Sequence, residues 1–492
     1  MVKKVFTGVV IFFMALGFNQ GLFGMGDFFG KYFPKYQKRG PIFHYTIRLP
    51  NPNVPELEIE LEAFGLRSGK QQLVLLGNFS KTEDVSKKIK DVVARNAFGN
   101  RIGVEWAGIA QEPGLGGVFL WETSVPFDRF LRLNYKVSLP KEPLGPSTQS
   151  FIRSVRARLI GSDIFIFPMR ARYKSRFLVE FRLPKAWDIY TTLPKVESAY
   201  ALSDLSDLLR SAIGVGKYVK YEKKKDTLKF DMIFGADKEA PELKNATESI
   251  FSTLNAQVAI FGGYPAGGDN WHMQVICNFD PVLVNRGVIN SNRKDEMVLL
   301  MPSAQNLNET LSDIAGETFR FWNPQAIRPA EGAGGGPEAA WLSEGANEYY
   351  ARKSRLLAGI IDKNRFEQVM KENYNKYVQN KLRLSLALPE AYVKRVQDPE
   401  AVALLYCKGT LTAYMLDVKI AKDTKGKNSL DDVMKKLYMD CNYFKGGQPY
   451  TNDTVIQIIN TLTGADYEPF FKDYILGTKE IAETDVFPLD KP

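Results

Sequence analysis

The feature that most restricts the fold is a change of hydrophobic period partway along the chain. Glu56-Leu57-Glu58-Ile59-Glu60-Leu61-Glu62 alternates strictly, so its apolar side chains share one sheet face and its carboxylates the other, a face expected to be solvated. Period two returns in residues 72–76, in Leu131, Leu133, Tyr135, Val137 and Leu139, and in residues 177–183. Residues 41–200 therefore read as an antiparallel β domain, interrupted by one helix-like segment over 83–96. Past this point the spacing becomes helical. A helix is predicted from Pro241 to about residue 261, closed by Gly262-Gly263, with a strand over 271–279 after it. From Trp341 onward the pattern is nearly all helical, with Ser429-Leu430-Asp431-Asp432 as a capping box and Gly464 and Gly477 as stops. The fold class is α+β.

Composition adds exclusions. The chain of 492 residues is long enough for two or three domains, and its net charge of +9 is modest. The densest basic run, 217–225, lacks the interleaved glycines and aromatics of a nucleic-acid surface, so a solvated strand or loop and no nucleic-acid partner are expected. Lys3 and Lys4 precede an apolar run from Val5 to Phe18, with Ala15-Leu16-Gly17 as a small-x-small cleavage site. The run is shorter than the roughly 18 to 20 residues that span a bilayer. Residues 1–17 are therefore expected to be a signal peptide and the protein exported, periplasmic or extracellular, with an uncleaved N-terminal anchor as the alternative. Residues 18–40 carry Phe28, Phe29, Tyr32, Phe33 and Tyr36 among lysines. They form a tether expected to pack on the domain, or alternatively to make peripheral membrane contact. Of the three cysteines, Cys277 and Cys407 are expected to be buried and Cys441 exposed at a helix end. The two histidines, His44 and His272, are expected to be structural.

Residues 306–350 hold two consecutive helices. Leu307, Leu311, Ile314, Phe319 and Trp322 recur at helical spacing, with Asn306 or Asn308 as a cap. Pro337 opens the second, which carries Trp341-Leu342-Ser343-Glu344-Gly345. Ending F-W-N-P and bearing W-L-S-E-G, the pair resembles the active-site helices of gluzincin metallopeptidases, in particular the glycyl-aminopeptidase type, peptidase family M-61. Residues 177–194, the segment 204–218, Tyr406-Cys407-Lys408-Gly409, and residues 416–438 and 468–478 resemble further segments of that family in the same order. The resemblance implies an N-terminal β domain (41–200) followed by a thermolysin-like, zincin-type domain. Its β/α part with a degenerate metal helix would be 201–345 and its helical part 346–492. The PDZ-type module that many relatives add is not expected.

The resemblance also assigns roles. The family reads H-E-x-x-H where this chain has Gly316-Glu317-Thr318-Phe319-Arg320, and zinc is the cofactor of the related active enzymes. Glu317 matches the general base, Glu344 the third metal ligand, Tyr406 the oxyanion tyrosine and Glu348 an outer acidic position. Asn290, in Gly287-Val288-Ile289-Asn290-Ser291, matches the glutamate that binds a free amino terminus. Gly316 and Arg320 stand where the two histidines would. Zinc lowers the pKa of bound water from 15.7 to about 7, and a carboxylate alone cannot replace that. Arg320, one turn past Gly316, is expected to pair with Glu344 or with both glutamates. The expectation is an inactive pseudopeptidase with a peptide-binding cleft, a peptide or protein ligand, and no metal or other cofactor. The alternatives are an active metallo-aminopeptidase or hydrolase with oxygen ligands from Glu317, Glu344 and Asp313, and a structural envelope protein.

Overall fold

The computed structural model describes residues 40–76, 85–112, 116–141, 150–172, 175–279, 288–293, 295–301, 306–330 and 336–487. The segment 1–17, the tether to residue 39 and Gly287 lie outside the described residues. Two compact units result. The first comprises the described residues up to Leu139 with Gly161–Lys185 and Leu193–Leu209; the second takes Pro140–Ile160, Ala186–Thr192 and everything from Arg210. A single boundary near residue 200 is thus corrected: two pieces of the expected β domain belong to the second unit, because their strands pair there.

In the first unit an eight-stranded sheet runs Lys195–Val196, Ala199–Leu202, Arg176–Arg182, Ile42–Arg48, Glu56–Phe64, Phe130–Ser138, Ile89–Arg95, Arg101–Ile102. All its pairs are antiparallel except Ile42–Arg48 with Arg176–Arg182. A four-stranded sheet, Phe167–Pro168, Gly69–Leu76, Gly116–Val125, Val104–Glu112, completes the unit. Leu57, Ile59 and Leu61 are at most 1 % exposed. The carboxylate face is not simply solvated. Glu56 pairs with Lys90 at 3.3 Å, Glu60 with Arg48 at 3.1 Å and Glu62 with Arg132 at 2.6 Å. Burial works against a charge on Glu62, but hydrogen bonds from His44 and Arg132 hold its carboxyl below the usual range. The helix expected over 83–96 is also corrected: among the described residues of that range only Val85–Lys88 is helical, and Ile89–Arg95 is a strand. Its β-branched Ile89, Val92 and Val93 suit a pleated surface, and pairing with Phe130–Ser138 decides the matter.

The second unit is built on a five-stranded sheet ordered Val219–Lys225, Leu228–Phe234, Trp271–Phe279, Glu296–Met301, Val288–Arg293. The middle three strands are parallel and the outer two antiparallel to their neighbours. On one face Ile233, Ile276 and Val298 meet Ile160 and Ala212. Those two belong to a small sheet of Asp188–Tyr190, Ala212–Gly216, Arg156–Ile160 and Phe151–Ile152. Glu296, 1 % exposed, ties the layers by accepting from Thr192 Oγ1 (2.8 Å) and Ala212 N (3.1 Å).

The other face packs on helices, of which the principal ones are α1 (Pro241–Phe261), α2 (Asn306–Phe319), α3 (Asn347–Leu357), α4 (Lys363–Gln379), α5 (Pro399–Asp423), α6 (Leu430–Asp440) and α7 (Asn452–Thr463). Gly262 ends α1 at φ 71°, its N–H donating to Val258 O at 2.8 Å. Ser429 and Asp432 form the predicted capping box of α6. By length and composition α5 could cross a bilayer, yet Leu404, Leu405, Leu411, Leu416 and Ile420 put it in the core of the unit. All three cysteines are free and buried. Cys441 is 5 % exposed rather than open to solvent, because the end of α6 packs into that core.

Candidate functional site

The site begins at the end of α2. Glu317 lies in its last turn, and Arg320 N donates to Gly316 O at 3.2 Å, so helical bonding carries one turn past Gly316. Buried aromatics hold this end. Phe319 stacks on Tyr350 with centroids 4.5 Å apart, and Trp322 stacks on Phe261 at 5.2 Å. Trp322 Nε1 donates to Gly263 O at 2.9 Å. Asn323, fully buried, donates from Nδ2 to Leu342 O (2.8 Å) and Asn347 Oδ1 (3.2 Å), pinning the turn after α2 to the segment that carries Glu344.

That segment, Trp341–Ala346, is a π-type turn leading into α3. Such widened turns rotate side chains off the regular helical register. Gly345 touches α5 backbone to backbone: a Cβ on Gly345 would lie 2.5 Å from Gly409 Cα, and one on Gly409 would lie 2.7 Å from Gly345 Cα. Neither glycine can carry a side chain without moving an element. The contact seats Glu344 against the helix that bears Tyr406, three residues before Gly409.

Arg320 joins the acidic groups. Its Nη2 donates to Glu344 Oε2 at 2.7 Å and its Nε lies 3.1 Å from Glu317 Oε1. Burial by itself would weaken the guanidinium's hold on its proton, but Glu344 and then Glu317 outweigh it and raise the pKa above the ordinary value. Tyr406, half-buried, has its phenol pKa raised by burial first and by Glu344 next. Glu348 is held by its own helix instead, 2.8 Å from Arg352 Nη1. Asn290 lies on the edge strand Val288–Arg293, opposite Val298 in the register. His44 sits between Glu62 (3.9 Å) and Glu180 (3.7 Å), and His272 Nε2 is 2.9 Å from Asp231.

These groups do not suit zinc. Gly316 has no donor atom, and Arg320 brings a permanent cation to the carboxylates that would have to hold the ion. Among the described residues no three or more His, Cys, Asp or Glu form a group able to hold a metal, Asp313, Glu317 and Glu344 included.

Sequence reasoning missed the supports. Asn323 was visible only as part of F-W-N-P, and nothing local pairs Gly345 with Gly409. A half-buried ionic cluster joining α3 to α5 and α6 was also missed: Lys353 Nζ lies 2.8 Å from Asp417 and 2.7 Å from Asp431, and Tyr350 donates to Asp431 at 2.9 Å. Nothing local sets Lys353 apart from Arg352 and Arg355 in the same helix.

No family model matches the sequence, and no curated protein matches it. Solved structures do. The chain is similar to an aminopeptidase N family protein from Idiomarina loihiensis, at 16 % identity and TM-score 0.72, over 90 % of this chain and 78 % of that one. It is also similar to a two-domain M1 zinc metallopeptidase bound to L-arginine, at 15 % identity and TM-score 0.50, over 92 % and 96 % of the two chains. The fold is therefore the mixed α+β, aminopeptidase N-type fold, with an N-terminal β domain and a helical C-terminal part.

Proposed function

We propose that the protein is an exported homologue of M-61-type gluzincin peptidases that has lost zinc catalysis and uses its cleft to bind peptide. The observation that carries this reading is the ion pair of Arg320 with Glu344 and Glu317. The guanidinium pairs with both carboxylates and offsets one of their two charges, which leaves Glu317 as the acceptor of an ion pair rather than a base facing activated water. Tyr406 remains beside the same charges. Val288–Arg293, at the edge of the five-stranded sheet, supplies the kind of strand to which an extended peptide adds by main-chain hydrogen bonds.

The test joins elemental analysis, peptide cleavage and peptide binding on the purified protein. The expected result is less than about a tenth of an equivalent of zinc, no chelator-sensitive cleavage of peptides with free amino termini, and saturable binding of extended peptides. Stoichiometric zinc together with cleavage abolished by a chelator would end the pseudopeptidase reading. Absence of binding across a broad peptide library would end the reading of a working cleft.

A further inference from the structure

We propose that one end of the first unit docks on a phospholipid surface bearing acidic headgroups, through a pair of phenylalanines ringed by arginines. Three turns meet there: residues 65–68, 96–100 and 126–129. Leu66 N donates to Arg129 O at 3.1 Å and Arg129 Nε donates to Leu66 O at 2.8 Å, joining the first turn to the third. Ala97 N donates to Asp128 Oδ2 at 3.2 Å, joining the second to the third. Arg95 Nη1 closes the second turn on Gly99 O at 2.9 Å. The turns form one braced platform.

Two large apolar side chains stand on it. Phe127 is 96 % exposed and Phe98 is 70 % exposed. Each neighbours a residue of the Ala97–Asp128 bond, so the two turns that carry them are tied together. Folding gains nothing from such placement, since either ring would be worth more in the core. Around them Arg67, Arg95, Arg101 and Arg129 are all exposed. The acidic residue of these turns, Asp128, has both carboxylate oxygens engaged by backbone N–H groups, those of Ala97 and Phe130, each at 3.2 Å. Four exposed arginines against the one exposed aspartate leave a net cationic rim around an apolar tip. That is the complement of a bilayer interface, where rings enter the acyl boundary while guanidinium groups stay with acidic headgroups.

The test uses the full chain with an environment-sensitive dye placed by Phe127→Cys, and separately by Phe98→Cys. Native thiols do not compete, since Cys277, Cys407 and Cys441 are 0 %, 3 % and 5 % exposed. The control is Val54→Cys, a 48 % exposed position preceding the strand Glu56–Phe64, at the end opposite the turn 65–68. Because the dye reads local burial, attachment through any other segment does not mimic the result. With vesicles containing about a third acidic phospholipid, the dye at 127 should shift to the blue and brighten while the dye at 54 stays unchanged. Each arginine near an acidic surface contributes about fivefold to binding. Arg67→Glu with Arg101→Glu should therefore cut the response at 127 by at least about tenfold. Silence at both 98 and 127, an equal response at 54, or an equal response to purely neutral vesicles would overturn the proposal. So would a lipid-free shift that grows with protein concentration, which would assign the tip to a second copy of the chain.

Discussion

Arg320 concentrates the electrostatic question at a single side chain. Glu317 and Glu344 are about a quarter and a sixth exposed (29 % and 17 %), so removing the cation leaves two poorly solvated carboxylates facing one another. Arg320→Met should cost about 1–3 kcal/mol of stability in urea unfolding. A double-mutant cycle with Glu344→Gln should return a coupling of about 1–2 kcal/mol. A coupling within error of zero would show the pair to be incidental. The converse experiment rebuilds the lost ligands. A Cβ on Gly316 would lie 3.6 Å from Ala351 Cβ, an ordinary contact, so Gly316→His with Arg320→His should fit the backbone and bind about one zinc per chain with Glu344 as third ligand. Calorimetric titration with zinc would check this, and no binding would mean that the surrounding framework has drifted as well as the ligands.

At the level of elements, the crossing of the π-type turn over α5 sets where Glu344 and Tyr406 stand. Gly409→Ala should destabilise by about 1–3 kcal/mol despite the better helix propensity of alanine, because the added methyl would sit 2.7 Å from Gly345 Cα and must push the turn away. Gly316→Ala, in α2, has room for its methyl and should be neutral or gain up to about 1 kcal/mol. Thermal unfolding of the two variants distinguishes a glycine demanded by packing from one that merely occupies a helix. Equal effects would remove the crossing as the determinant of the site. Sequence did announce some of this element structure: Gly262, the Ser429–Asp432 box and Gly464 mark ends the structure places where the capping chemistry puts them. It misjudged 83–96, where charged residues between apolar ones are compatible with both periods and only the partner strand chooses.

For the whole molecule, the interleaving of the two units has consequences for any dissection. A fragment of residues 201–487 would lack Phe151–Ile152, Arg156–Ile160 and Asp188–Tyr190, leaving Ala212–Gly216 without neighbours in its sheet. Ile233, Ile276 and Val298 would lose the cover of Ile160, and Glu296 would lose Thr191 and Thr192. Such a fragment should be insoluble or lack a cooperative thermal transition, whereas the chain from residue 40 to 487 should show one. A well-folded 201–487 fragment would contradict the division.

By itself the sequence determined the order and type of most elements, because apolar periodicity and capping act over a few residues. It also determined which chemistry cannot arise at Gly316 and Arg320, since donor atoms belong to residue types. Only the tertiary structure decided that Arg320 reaches Glu344, that Gly345 meets Gly409, and that pieces up to residue 192 complete the second unit. Those are contacts between segments tens of residues apart. They are chosen by how whole faces bury against each other, and local preference carries no record of the partner.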